Sequence, residues 1–380
     1  MAVEITVVTS AEVVGSVDDL LIQILLPLPV KSLMRFKLVS KDWRSLITSH
    51  RLSLLRNTGP NPAVGLFFRG RKFTDYEYIH LGARNQTKGP FRELRFPDDP
   101  FPFWIQQSCN GLLLCCSSEK RRRYPIRRCS VYNPTTNSYT KLPRPGIVNE
   151  VPRIVRGVYL AFDHAMYPFY KVVCVRDSEF ASQLFQIEVY SSESGAWRVS
   201  GEPFDSSASF QHGVYWNGSV HWISEETEEI LYFNLDKETF GTILWPSAVD
   251  GYGYGYPYGR NVGYFGVSCD HFHIIESYDT EITFDVYEMK RDYSEWFVKY
   301  RVDRTAVAAA FPQMHYGDFS VFSLVRGKEG CSCLLLRTPS KIVRINLDCD
   351  TFEEIVYSRD ALFRPSLPHA FEYIESLACV

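Results

Sequence analysis

The sequence predicts a mainly β chain behind a short helical N-terminal segment, with the β part arranged as a propeller. Three observations carry this reading. Aromatic residues make up 15% of the chain, and Tyr, Phe and Trp suit a pleated, half-buried surface. A strand–turn–strand pattern recurs from residue 130 onward. Helical apolar periodicity is convincing only between Asp18 and Ser49.

The helical stretch reads as three short helices. In the first, Leu20, Leu21, Ile24, Leu25 and Leu28 fall on one stripe, with Asp18 and Asp19 where a helix N-terminus favours negative charge. Pro29 can open a second helix, whose apolar side would be Val30, Leu33, Met34 and Leu38. Ser40 can cap a third, carrying Trp43, Leu46 and Ile47. So small a unit cannot bury that much apolar surface alone, because domains below about 40 residues usually need help. A partner surface is implied.

After residue 50 comes a turn-rich junction, with Asn57-Thr58-Gly59-Pro60-Asn61-Pro62 at its centre. Short apolar or alternating runs follow at 65–68, 76–81 and 91–96. Asn110-Gly111 then marks a tight turn before the buried run 112–116. The hairpin pattern appears at 130–143, 189–198, 232–241, 286–296 and 344–353: an apolar strand, a polar turn, then an aromatic opening the next strand. Copies lie roughly 45–60 residues apart, near the kelch-type period of about 50. Inner strands at 157–162, 170–175, 213–223 and 264–275 fit between them. Stacking such sheets radially buries both faces of each. A β-sandwich is the alternative, and explains a repeating hairpin less well.

Composition narrows the function. A net charge of −3 offers no electrostatic case for nucleic acid or an anionic membrane. The ten cysteines include no CxxC pair or framework spacing and read as reduced thiols. No run approaches 18 apolar residues, and the N-terminus lacks the basic flank of a signal peptide. The expectation is a chain of the cytoplasm, the nucleus or both.

Candidate chemistry is sparse. Cys269, His271 and His273 alternate and could offer three soft ligands on one strand face. A fourth ligand is not evident, so an ordinary strand face is the better reading and neither metal nor cofactor is expected. The basic stretch 120–128 reads as a solvated loop, with a phosphate or nuclear-import patch as the alternative. The Gly–Tyr-rich stretch 251–264 places Tyr252, Tyr254, Tyr256 and Tyr258 as amphipathic contact residues for a target. The glutamates at 225, 226, 228 and 229 fall in a turn. No GxSxG, HExxH or phosphate loop is present.

Two sets of motifs carry a family resemblance. Leu28 to Leu33 (LPVKSL), Arg35 to Lys37 (RFK) and Val39 to Arg44 (VSKDWR) resemble the F-box, the adaptor-binding motif of a class of ubiquitin ligases. It departs from the family pattern where Ser16-Val17 replace the opening Leu-Pro pair. It departs again at Pro27, a proline that cuts the first helix short. Ser108 to Leu114 (SCNGLLL), Tyr132 to Thr136 (YNPTT) and the Trp216–Trp222 hairpin resemble the F-box-associated, kelch-related domain of plant F-box proteins. The domains implied are an F-box at 16–50, a linker at 51–63 and the β domain at 64–375.

The resemblance implies a non-catalytic substrate receptor of a Skp–cullin–F-box ubiquitin ligase. Leu20, Leu21, Ile24, Leu28, Pro29, Val30 and Leu33 would contact a Skp-type adaptor, which links to a cullin scaffold. Val39, Trp43 and Ile47 would hold the helices together, and the β domain would bind a target protein not identifiable from the sequence. The alternative is a propeller enzyme or carbohydrate-binding protein with a helical cap.

Overall fold

A computed structural model describes residues 14, 17–56, 61–70, 75–82, 89–96, 101–118, 127–148, 151–163, 168–181, 183–224, 226–246, 260–278, 283–310, 320–326, 332–337, 341–349, 351–355 and 370–380. Among the described residues, helices α1 (Asp18–Leu25), α2 (Val30–Phe36), α3 (Lys41–Thr48) and α4 (His50–Arg56) come first. Pro27 ends α1 as expected, and the Ser40 hydroxyl caps α3 by accepting from Trp43 N at 3.1 Å. Helix α4 corrects the linker reading, since the first half of 51–63 is helical. Its Leu52 is fully buried with Leu25, Leu33 and Ile47. The guanidinium of Arg56 donates to the carbonyls of Leu26 and Leu28 at 2.9 and 2.7 Å, satisfying groups that the early end of α1 leaves open.

The β part is a six-bladed propeller. Four-stranded antiparallel meanders form five blades: β3 (Trp104–Cys109) to β6 (Ser138–Lys141), β9 (Val155–Ala161) to β12 (Ala196–Phe204), β13 (Gly213–Trp216) to β16 (Thr239–Leu244), β17 (Arg260–Ser268) to β20 (Trp296–Asp303), and β21 (Ser320–Arg326) to β24 (Thr351–Ile355). A two-stranded hairpin, β7 (Ile147–Val148) and β8 (Val151–Pro152), lies between the first two, and a short helix α5 (Arg304–Ala310) follows β20. The five hairpins read from the sequence are the outer pairs of these blades. The run 91–96 is not a strand and contributes one bridge, Asp75 to Glu93.

The sixth blade joins the two ends of the domain. Strands β1 (Gly65–Arg69) and β2 (Tyr76–His80) pair with β25 (Ala370–Tyr373), Gly65 opposite Tyr373 and Phe67 opposite Phe371. This closes the ring, so no blade is left with an uncovered face. Alternation along each strand then serves both neighbours. On β1, Phe67 packs toward the first blade with Ile105 and Leu113, while Leu66 and Phe68 pack toward the fifth with Phe322 and Leu335. Trp216 stacks on Phe272 across the third and fourth blades, ring centroids 5.3 Å apart, and its indole donates to the Asp270 carbonyl.

The first strands of the blades line the axis, where successive ones adjoin. In a meander that runs outward from the axis, the first-to-second and third-to-fourth turns share one end. The second-to-third turns and the links between blades share the other. Asn110-Gly111 and Asn217-Gly218 make first-to-second turns with positive φ throughout, as two-residue hairpin loops require.

Candidate functional site

The helical segment sits on the end of the propeller that carries the first-to-second turns. A cavity of about 460 Å³ between the two is lined by Leu28, Pro29, Val30, Arg56, Asn110 and the C-terminal residues 374–378. That tail joins the parts. Leu377 lies in the helical core while Ala378 lies in the core of the first two blades. Asn133, buried in the Tyr-Asn-Pro-Thr-Thr motif, donates to the carbonyls of Ser376 at 3.1 Å and Ala378 at 2.7 Å. Its own carbonyl accepts from the Thr135 backbone at 2.9 Å. Gly111 leaves room for the tail, since a β-carbon there would lie 2.5 Å from Ser376 Cβ. Lys31 and Glu375 add an ion pair at 3.2 Å.

Within the helices the structure separates residues that the sequence placed together. On α1, Leu21 and Leu25 turn inward, whereas Leu20 and Ile24 are 40% and 48% exposed. Each pair is spaced i, i+4, so the helix carries two apolar rows rather than one. Leu21 and Leu33, expected at the adaptor contact, are buried within this chain. Leu28 and Val30 are half-buried and Pro29 exposed, and all three line the cavity facing the propeller. Ile47 is buried and Trp43 packs against the helical core.

Val39 is not a core residue. It is 60% exposed, because α2 ends at Phe36 and the helical period no longer aims the residues after it. Leu38 points outward for the same reason. Phe36 takes the inward place and meets Trp43 edge-on, centroids 5.5 Å apart. The signal was available: Phe36 lies three residues after Leu33, on the same face as the buried residue.

A second cavity, about 450 Å³, follows the propeller axis. Its walls carry Gln106, Tyr159, His212, Tyr215, Tyr264, Cys269 and Glu372. Glu372 Oε1 accepts from the Ser268 hydroxyl at 2.9 Å, and the Arg326 backbone N–H donates to that same hydroxyl oxygen at 3.0 Å. Burial pushes the Glu372 carboxyl up to about 7, against the Ser268 hydrogen bond that draws it down. Among the described residues no Lys, Arg or His lies within ion-pair distance of it. Sequence pattern does not single out Glu372, because only the pairing of β25 with β1, opposite Leu66, brings it to the axis.

Cys269, His271 and His273 do not form a ligand trio. Cys269 lies in the β17–β18 turn with positive φ, out of the strand alternation. His271 Nδ1 lies 2.7 Å from one oxygen of Glu288, while His273 Nε2 and Arg326 Nη1 lie 3.3 and 3.2 Å from the other. Burial lowers His273, so it is neutral, and Arg326 supplies the counter-charge. Burial opposes ionisation of Glu288, but its hydrogen bonds hold the carboxyl well below the usual range. No group of three or more metal-type ligands occurs among the described residues. Tyr252, Tyr254, Tyr256 and Tyr258, and the basic stretch up to residue 126, lie outside the described residues.

No described helix is long and apolar enough to cross a membrane. The family described as the F-box domain matches residues 17–55, and that described as the F-box associated beta propeller domain matches residues 87–378. F-box protein At5g07610 of Arabidopsis thaliana is 34% identical over 403 aligned residues, covering 98% of this chain and 94% of that protein. F-box protein At5g49610 of the same plant is 29% identical, covering 61% of this chain and 65% of that protein. F-box protein At1g52495 is 25% identical, with 61% and 57% covered. With helices seated on a six-bladed ring and both domains matched in order, this chain belongs to the F-box proteins that carry an F-box associated β-propeller domain.

Proposed function

We propose that the chain is the substrate-recognition subunit of a Skp–cullin–F-box type ubiquitin ligase. The observation that supports this most is the pair Leu20 and Ile24, two large apolar side chains left in water on a helix whose other apolar row is buried. Each is already about half covered, so covering the rest would contribute roughly 1 kcal/mol apiece, and a Skp-type adaptor is the cover that F-box membership suggests. The adaptor would link the chain to a cullin scaffold.

The fold suits a bridging role. The helices are tied to one end of the propeller through the C-terminal tail. The second-to-third turns and blade links occupy the other end, where a target protein would bind. Two sites held on one body raise the effective concentration of target at the ubiquitin-transferring partner, so rate comes from proximity. The chain itself would catalyse nothing, and would act in the cytoplasm, the nucleus or both. A pull-down with a Skp-type adaptor tests this: wild type should be retained and Leu20→Asp/Ile24→Asp should not. An adaptor that ignores the wild-type chain would overturn the reading.

A further inference from the structure

We propose that the axial cavity of the propeller is a binding site for a primary ammonium group, with Glu372 as its counter-charge. Its lining does not include Leu20 or Ile24, and the proposal does not depend on the ligase reading. Glu372 faces the cavity from the innermost strand of the closing blade, and no cation among the described residues pairs with it. Such a carboxyl is costly to ionise where it stands, and burial holds its proton toward neutrality. A cation entering the cavity removes that penalty. Tyr159, Tyr215 and Tyr264 line the same walls, and aromatic rings are among the groups that attract alkylammonium ions.

The donor set selects among cations. Among the described lining residues the other carboxylate, Asp270, is already paired with Arg291, which leaves Glu372. Calcium or magnesium calls for several oxygen ligands and is poorly served. A guanidinium grips best when both carboxylate oxygens are open to its fork. Here Oε1 already accepts from Ser268, which leaves Oε2 for one strong hydrogen bond. That suits a compact ammonium. An anion would meet the carboxylate, and the nearby Arg326 is committed to Glu288.

Two sources share this chemistry: a free small amine, and a lysine side chain of a bound polypeptide reaching into the axis. The test is calorimetric titration of the full chain at matched ionic strength with butylammonium, with the isosteric butanol and butyrate, and with a lysine-containing peptide blocked at both termini. Butylammonium or the lysine peptide should bind and the two isosteres should not. A preference for the peptide assigns the site to a polypeptide lysine; a preference for butylammonium assigns it to a free amine. Glu372→Gln should weaken binding by about ten- to a hundredfold, the effect of removing a charged hydrogen-bond partner. If that variant does not fold, Glu372→Asp keeps the charge but withdraws it, and should bind measurably more weakly. The proposal is overturned if neither ammonium probe binds, if butanol binds as well, or if the variant that folds binds as the wild type does.

Discussion

The Asn133 carboxamide donates to the main-chain carbonyl of Ala378 at 2.7 Å, across 245 residues of chain. One side chain in the first blade thereby seats the tail that also carries Leu377 into the helical core. The Tyr-Asn-Pro-Thr-Thr motif holds the two domains in one orientation, and the bridging role argued above requires that orientation.

Asn133→Ala should therefore loosen the tail. It leaves two carbonyls and two backbone amides without a buried partner, each worth about 1–3 kcal/mol when stranded and less where water can reach. A lower urea midpoint and faster hydrogen exchange at residues 376–378 are expected. Unchanged exchange there would mean the tail is held by Leu377 and Ala378 packing alone.

The two apolar rows of α1 should separate binding from stability. Leu20→Asp/Ile24→Asp removes exposed side chains and should leave the melting temperature near that of wild type while abolishing adaptor capture. Leu33→Asp places a charge at a fully buried position. It should unfold the helical segment, with a loss of helical circular dichroism that precedes any question of binding.

Arg56→Lys tests the closure of the helical segment. The guanidinium of Arg56 serves the carbonyls of Leu25, Leu26 and Leu28 together, and an ammonium on a different stem cannot reproduce that geometry. A loss of about 1–2 kcal/mol in denaturant stability is expected. Its readout is the helical unfolding transition rather than that of the propeller.

Glu372→Gln should change how stability depends on pH. In the unfolded chain this carboxyl ionises near 4.5, and in the folded chain near about 7. The folded state therefore holds the proton more tightly. The stability it contributes is full below 4.5, falls as pH rises toward 7, and stays lost above it. A gap of this size corresponds to at most roughly 3 kcal/mol. The variant's advantage over wild type should grow between about pH 5 and pH 8. A pH-independent difference in melting temperature would show that the carboxyl is not held neutral by its surroundings.

His221 works in the opposite sense. Burial lowers its imidazole to about 4 although the carbonyl of Val214 pulls the other way. The stability it contributes is present above 6.5 and is lost as pH falls through about 4. His221→Gln should flatten the acid limb of the stability profile.

Local pattern carried much of this protein. The helices before residue 50, the cap at Ser40, the stop at Pro27 and the five outer hairpins all follow from residues near one another in the chain, where capping, proline geometry and alternation act. The motifs at 28–44 and 108–136 were legible for the same reason. Tertiary structure decided the rest. The sixth blade exists only because β25 pairs with β1 some 300 residues away, and no local period announces that. Which row of α1 faces water depends on where α3, α4 and the C-terminal tail pack. Ring closure put Glu372 on the axis with Ser268 at hand and, among the described residues, no cation paired with it. Sequence spacing sets which side chains can share a strand or a helix face, but only closure of the ring determines which of them meet.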